Sequence, residues 1–303
     1  MEMTRRVDQT GFGDLKIIQD SEAFCYGVDA VLLAGFTAEI LQRTGKCPDR
    51  LMDLGTGNGI VPLILSHKTQ IPALHGMEFQ KANVCLAEES VRLNGLEGRI
   101  KLWHADVADV LAAWRRKRVD DFSGSDRGLE DGIVQKGKPE CACGKETDQN
   151  VDAVQELIPE ELRALKGCFD AVTSNPPYTK RQGGAVSTGS AKALARHETT
   201  ADLSMFMELA ALMLKEKGDL FMVHRPQRLV DLLVFGRKHR LEPKDMQLIS
   251  GHEGEAPNLV LLHLVRGGGA ELRVLPPFAI REPDGSYTAR MMEIYEKEFR
   301  EEE

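Results

Sequence analysis

The chain reads as an α/β protein built on a doubly wound, mostly parallel sheet. Three observations predict it. From Arg50 to Asp106, short apolar runs alternate with helix-spaced segments, the pattern of strands joined by crossover helices. A glycine-rich turn, Gly55-Thr56-Gly57-Asn58-Gly59, stands where the first of these strands meets the first helix. Acids close the apolar runs at Asp53, Glu78 and Asp106.

In order, RLMDL is a short strand and IVPLILSHK has helical spacing. ALHGME is a second strand. FQKANVCLAEESVRLNG is an amphipathic helix with Val84, Ala87, Val91 and Leu93 as its apolar side and Gly95 as its stop. RIKLWHAD is the third strand. From Arg115 to Lys166 the chain turns charged and glycine-rich, and is expected to be a polar insertion (115–166) with one helix from Glu160 to Leu165. CFDAVTSN restores strand character, and the Gly/Ser-rich stretch 182–190 is expected to be a loop. A helix from Leu203 to Lys217, the strand GDLFMVH, a helix beginning near Pro226, and the strands MQLIS and NLVLLHLV follow, ending in an antiparallel C-terminal strand. The expected organisation is a short N-terminal segment (1–48), one α/β domain (49–270) and a frayed C-terminal tail (271–303).

Composition narrows the function classes. A chain of 303 residues with 42% hydrophobic residues and only 6 Cys is neither disordered nor disulfide-stapled. Length alone points to about two domains, but the early segment, insertion and tail account for the excess over one. The 47 acids exceed the 39 Lys and Arg, so a polyanion partner would need a local basic face. The opening MEMTRRVDQTGFGDL lacks the apolar core of a signal peptide. No apolar stretch reaches the roughly 18 residues of a membrane helix, and the expected location is the cytoplasm. Cys141 and Cys143 form C-x-C with no second pair nearby, so no metal is expected. His224 and His263 lie in apolar strand ends and read as core histidines.

The glycine turn is the first chemical signal. Glycines between a strand and a helix let the backbone approach a ligand, and the helix start offers free N–H donors. A dinucleotide fingerprint fails at its third glycine, where Ile60 stands. The spacing of Gly55, Gly57 and Gly59 behind Asp53 instead resembles motif I of the class I S-adenosylmethionine-dependent methyltransferases. Glu78 then falls where a ribose-binding carboxylate belongs. The resemblance implies that Glu78 and Asp106 hold the cofactor's ribose and adenine; each also fits a polar strand end or helix cap. The second signal is Asn175-Pro176-Pro177-Tyr178, where two prolines force the chain out of the sheet. It resembles the (D/N)PP(Y/F) turn of amino-group methyltransferases. A conjugated amino group is a poor nucleophile. The resemblance implies that the Asn175 side-chain oxygen and the Pro176 carbonyl accept its N–H bonds, aligning its lone pair and stabilising the charge that develops on nitrogen. Tyr178 would stack on the extruded base; a loop aromatic capping the core is the plainer reading.

Upstream, Tyr26-Gly27-Val28-Asp29 belongs to FCYGVDAVLLA, which resembles the segment that covers the methionine end of the cofactor. Asp29 also reads as a helix cap, and both roles can hold together. In family order, LKIIQDSEAFCYGVDAVLLAGF, LMDLGTGNGIVPLIL, SVRLNGLEGRI, VTSNPPYTK, ALARHE, MVHRPQRLVDLL and EAPNLVLL resemble the bacterial tRNA1(Val) adenine-37 N6-methyltransferases. This implies S-adenosylmethionine as cofactor, tRNA as partner and adenine 37 as target, in a monomer. The insertion departs from the family's compact pattern. Pro177, Lys180, Arg181, Arg196 and Arg225 are the expected RNA contacts, with Lys192 beside them. Arg228, Arg237, Lys238, Arg240 and Lys244 either extend that basic face or are scattered solvated cations. Glu198 either borders the base pocket or supports a helix start.

Five rivals remain. Another RNA amino-group methyltransferase, acting at a different RNA position, shares the whole pattern. A release-factor glutamine N5-methyltransferase shares the NPPY turn but is expected to carry a helical domain before the cofactor segment. A DNA adenine methyltransferase needs a target-recognition domain that no segment here is long enough to form. A non-catalytic RNA-binding scaffold leaves Asp53, Glu78 and Asn175 unexplained, and an oxidoreductase leaves the NPPY turn unexplained.

Overall fold

The computed structural model describes residues 5–20, 25–123, 158–178 and 202–296. A hairpin of β1 (Arg5–Gln9) and β2 (Lys16–Asp20) precedes α1 (Val28–Thr44). The chain then alternates through β3 (Arg50–Leu54), α2 (Ile60–Lys68), β4 (Ala73–Glu78), α3 (Lys81–Leu93), β5 (Ile100–His104) and α4 (Val107–Ser123). After α5 (Glu160–Arg163) come β6 (Phe169–Ser174), α6 (Leu203–Met213), β7 (Leu214–His224), α7 (Leu229–Lys238), β8 (Leu241–His252) and β9 (Leu259–Arg266). Two short strands, β10 (Arg273–Val274) and β11 (Phe278–Arg281), and α8 (Ala289–Ile294) complete the described chain.

The main sheet runs β10-β8-β9-β7-β6-β3-β4-β5, with β11 also on β8. All pairings are parallel except those of β9, which is antiparallel to both β7 and β8. The expected architecture therefore holds, including the antiparallel strand near the C-terminus. Strand order reverses at β3, which lies between β4 and β6, and the carboxyl edge beside such a switch point is where open α/β sheets bind ligands. One face buries Leu33, Phe36, Ile64 and Phe221 under α1 and α2. The other buries Trp114, Phe169, Met207 and Leu232 under α4, α6 and α7.

Several local expectations are corrected. The helix expected from Leu203 to Lys217 ends at Met213. Leu214 turns extended, pairs with Phe169 and buries its side chain fully, and the charged residues 215–217 bulge outward. Leu93 is 47% exposed, because the buried stripe of α3 is Val84, Leu86, Ala87, Ser90 and Val91. The expected insertion is not wholly an excursion. Ile158 and Leu162 are buried in the same core cluster as Trp114, so the chain rejoins the core before Lys166. Nor is the region after 271 frayed as far as Glu296. β11 extends the sheet, Met291 and Ile294 pack on α1, and Tyr295 stacks on Phe12 at 5.5 Å between ring centroids. That segment looked polar because its few apolar residues are spread over three short elements. Cys141, Cys143, Lys180, Arg181, Lys192, Arg196, Glu198 and the stretch 182–190 lie outside the described residues.

Candidate functional site

The site is built where β3 and β6 leave the sheet. Leu54 pairs with Ser174, and the Ser174 hydroxyl donates to the Leu54 carbonyl at 2.9 Å. Gly55 and Asn175 are the next residue on each strand, so the glycine turn and the NPPY turn emerge side by side. Gly55, Gly57 and Gly59 all take left-handed φ of 74°, 57° and 82°. A Cβ at Gly59 would sit 3.0 Å from that of Ala87, whereas one at Gly57 would meet nothing within 4 Å. The turn is thus packed on its helix side and open at its middle, an arrangement that lets a ligand approach the backbone.

Three carboxylates line this edge. Asp53 is buried, and its Oδ1 accepts the Thr173 hydroxyl at 2.7 Å. Burial pushes its carboxyl up to about 6, only partly offset by the hydroxyls of Thr173 and Thr56. Glu78 ends β4, accepting the Gly57 N–H at 3.0 Å on one oxygen and the Gln80 N–H at 2.9 Å on the other. Burial raises its pKa as well, against the pull of those backbone donors. Asp106 stands just before α4 and accepts the Ala108 N–H at 2.7 Å, so it does cap a helix. Among the described residues neither Asp53 nor Glu78 has a salt-bridge partner.

Across the turn, Pro176 is buried and Pro177 exposed. The Tyr178 hydroxyl lies 2.7 Å from Asp29 Oδ2 and 2.7 Å from Asn175 Oδ1. Burial, with Asp29 next to it, holds the phenol protonated far above its ordinary range. The Tyr178 ring packs on His224, 5.0 Å between centroids, and the Arg225 guanidinium lies 4.8 Å from the ring centre. Burial lowers His224 to about 4, so it is neutral at pH 7. It is a core histidine, as expected, and also the floor beneath Tyr178. Asp29 sits in the first turn of α1, whose cap is Gly27; it bonds the Ala30 N–H and reaches Tyr178 as well.

Two further features with no sequence signal complete the edge. Gln19 of β2, buried at 4% exposure, accepts the Tyr26 N–H at 3.2 Å and the Asn58 side-chain amide at 3.3 Å. The hairpin is thereby tied to the glycine turn. Asn94, just past α3, and Ser90 within it satisfy the backbone of Lys16 and Ile18 and fix the hairpin's other edge. Glutamine in a half-buried strand is unremarkable in sequence, and only tertiary proximity marks it. Of the two readings of the cations after Met222, the described contacts favour scattered, paired cations over a basic face. Arg225 stays at the site, donating to the Asn258 carbonyl at 3.1 Å. Arg228 pairs with Asp231, Arg237 with Glu242 and Arg240 with Glu216, while Lys244 bonds the carbonyls of Gly269 and Ala270. These behave as paired surface cations.

The sheet order and the two turns on one edge define the fold of a class I methyltransferase. A solved structure of a predicted O-methyltransferase from Agrobacterium tumefaciens superposes with a TM-score of 0.56, covering 88% of this chain and 95% of that one at 18% identity. No family model matches the chain. Two curated relatives share one name, tRNA1(Val) (adenine(37)-N6)-methyltransferase. That of Tolumonas auensis is 26% identical over 292 residues, 93% of each chain. That of Porphyromonas gingivalis is 24% identical over 236 residues, 77% of this chain and 71% of its own. The chain is a homologue of proteins bearing that name.

Proposed function

We propose that this chain transfers a methyl group from S-adenosylmethionine to the N6 amino group of an adenine in tRNA, with adenine 37 of tRNA1(Val) as the specific target. The observation that carries the reading is the strand register that sets the Gly55–Gly59 turn beside Asn175-Pro176-Pro177-Tyr178 on the carboxyl edge. The names of the full-length relatives supply the substrate.

The donor set fits the cofactor. Gly57 leaves open space beside an edge rimmed by Asp53, Glu78 and Asp106. Glu78 would hold the ribose hydroxyls, Asp106 the adenine, and Asp53, Gly55, Gly57, Gly59, Tyr26, Gly27 and Asp29 the methionine end. The cofactor supplies an electrophilic methyl group on a sulfonium. The chain's own contribution is alignment and electrostatics. Asn175 Oδ1 and the Pro176 carbonyl accept the two N–H bonds of the target amino group, turn its lone pair toward the methyl and stabilise the positive charge gathering on nitrogen. The Tyr178 ring has His224 against it and the Arg225 guanidinium over it, so stacking on the base would displace Arg225, with Pro177 at the border. No strong base is needed before transfer, and neutral His224 and protonated Tyr178 are not called on as bases. Lys180, Arg181 and Arg196 are proposed phosphate contacts. A monomer is the proposed state. No helix among the described residues is long and apolar enough to cross a membrane, and the proposed place of action is the cytoplasm, where tRNA resides.

The test is methyl transfer from labelled cofactor to total tRNA, ribosomal RNA, DNA and a release factor in parallel. Label in tRNA alone, recovered as N6-methyladenosine and abolished by Asn175→Ala, is expected. Label in the release factor, or tRNA labelling indifferent to Asn175→Ala, overturns the reading.

A further inference from the structure

The hydroxyl of Tyr178 has one proton and two neighbours at 2.7 Å, Asp29 Oδ2 and the Asn175 side-chain amide. An ionised carboxylate only accepts, and a charge-assisted hydrogen bond is the stronger of the two on offer. The phenol proton therefore belongs to Asp29. The phenol oxygen then turns a lone pair toward Asn175, and an amide oxygen placed there would face it unfavourably. The oxygen and nitrogen of an amide are told apart only by the hydrogen bonds they make. The corner of Asn175 that touches the phenol must be its NH2. The other corner, which makes no hydrogen bond among the described residues, is then the oxygen.

We infer that Asp29 is a positioning residue for the transfer: through the Tyr178 hydroxyl it fixes the Asn175 amide so that its oxygen, rather than its NH2, is free to accept the target amino group. This rests on the amino-methylation reading. The wrong amide rotamer would set a donor against a donor, so the chain Asp29–Tyr178–Asn175 selects the productive rotamer before substrate arrives. It also links α1, which carries Asp29, to the substrate turn. The tyrosine has two separable parts, with the ring serving stacking and the hydroxyl serving orientation.

A pair of exchanges, made singly and together, separates this chain of contacts from simple packing. Asn175→Asp places a second acceptor-only group against the phenol, so one proton faces two carboxylates. Asp29→Asn in the same chain restores the match, because the phenol now donates to the carboxylate introduced at position 175 and accepts from the amide introduced at position 29. The free oxygen at position 175 is an acceptor in either case. N175D is expected to lower kcat about 100-fold, and D29N/N175D to recover at least about tenfold of that, with KM for tRNA within about threefold throughout. Tyr178→Phe, which keeps the ring, is expected to lower kcat about tenfold, the worth of one oriented hydrogen bond. Asp29→Ala should do the same, and D29A/Y178F should be no worse than either alone.

Equilibrium cofactor binding and a thermal melt on each variant separate these effects from a lost cofactor site or a misfolded chain. A double exchange no better than N175D, or a D29A defect confined to cofactor affinity, overturns the inference. A readout independent of turnover is the Asn175 NH2 pair in 15N-labelled protein, assigned by its loss in N175D. One proton of the pair should be shifted and slow to exchange in the wild type and not in Y178F. An NH2 pair identical in wild type and Y178F rejects the inference whatever the activity. Absence of methyl transfer to tRNA, with the pair behaving as expected, rejects the functional reading instead.

Discussion

The two ends of α1 overlook two clusters of buried carboxylates, and they are opposites. At its start, Asp53 and Glu78 sit on the carboxyl edge of the sheet and, among the described residues, have no cation and accept hydroxyl and backbone donors; their pKa values are raised. At its end, Asp219 and Asp245 are buried among cations. Lys46 lies 2.7 Å from Asp219, Arg43 2.7 Å and Arg273 2.9 Å from Asp245, and His263 bridges the two carboxylates at 2.9 and 2.8 Å. The two ring nitrogens of His263 each face a carboxylate oxygen. Burial alone would raise Asp245, but hydrogen bonds from His263, Arg273 and Arg43 outweigh it and hold the carboxyl well below its usual range. A saturated cluster holds β7, β8, β9 and α1 together; an unsaturated one keeps lone pairs available for a ligand. Burial of charge is common to both, and the supply of counter-charge separates structure from function.

Substitutions at each end should therefore fail differently. The largest effect is expected for Asn175→Ala, which removes a transition-state acceptor. It should lower kcat by about 100- to 1000-fold while leaving cofactor affinity and the thermal midpoint near those of the wild type, as measured by single-turnover kinetics and calorimetry. His263→Ala comes next, stranding two buried carboxylates on one side. Unfolding in urea should show a loss of about 3 kcal/mol, and cofactor affinity of the folded fraction should not change. A cofactor defect without a stability loss would erase the contrast between the clusters.

Glu78→Gln keeps the side chain's shape but sets an NH2 against one of the two backbone N–H groups, of Gly57 and Gln80, that the carboxylate accepts, so cofactor binding by calorimetry should weaken about thirtyfold and unfolding in urea should show a loss of about 1–2 kcal/mol. The smallest effect concerns pH. The folded pKa of Asp53, about 6, lies above its ordinary 3.8. The stability it contributes is therefore full below pH 3.8 and lost as pH rises through about 6. Ligand binding runs the other way, since the ionised form is the better acceptor. Cofactor affinity should fall as pH drops through about 6, and Asp53→Asn should flatten that dependence. A profile unchanged in D53N would remove Asp53 from the site.

The contrast also shows what a sequence can reveal. The glycine turn, the NPPY turn and the acids at strand ends were all legible, because each is a local device: a left-handed φ, a break in the ladder, a polar stop after an apolar run. Asp53, Glu78, Asp106 and Asn175 stand at or just beyond the ends of β3, β4, β5 and β6, as their sequence positions imply. What stayed hidden depends on long-range pairing. Gln19 reaches Asn58 from a hairpin that sequence showed only as a leading segment. The cations after Met222 leave two readings open in sequence, and only the pairings with Asp231, Glu242 and Glu216 decide between them. Residues 272–296 looked like a tail because their apolar contacts, Ile280, Met291 and Ile294, are spaced without a helix or strand period long enough to register. The saturated cluster was equally silent, since Arg43, Asp219, Asp245 and His263 come from four separate elements.

The most direct test of the central claim uses unmodified tRNA1(Val) transcripts with adenine or guanine at position 37. Incubated with the chain and S-adenosylmethionine and digested to nucleosides, the adenine transcript should yield one N6-methyladenosine per molecule and the guanine transcript none. A methyl group on both transcripts at another position, or on neither, would contradict the account.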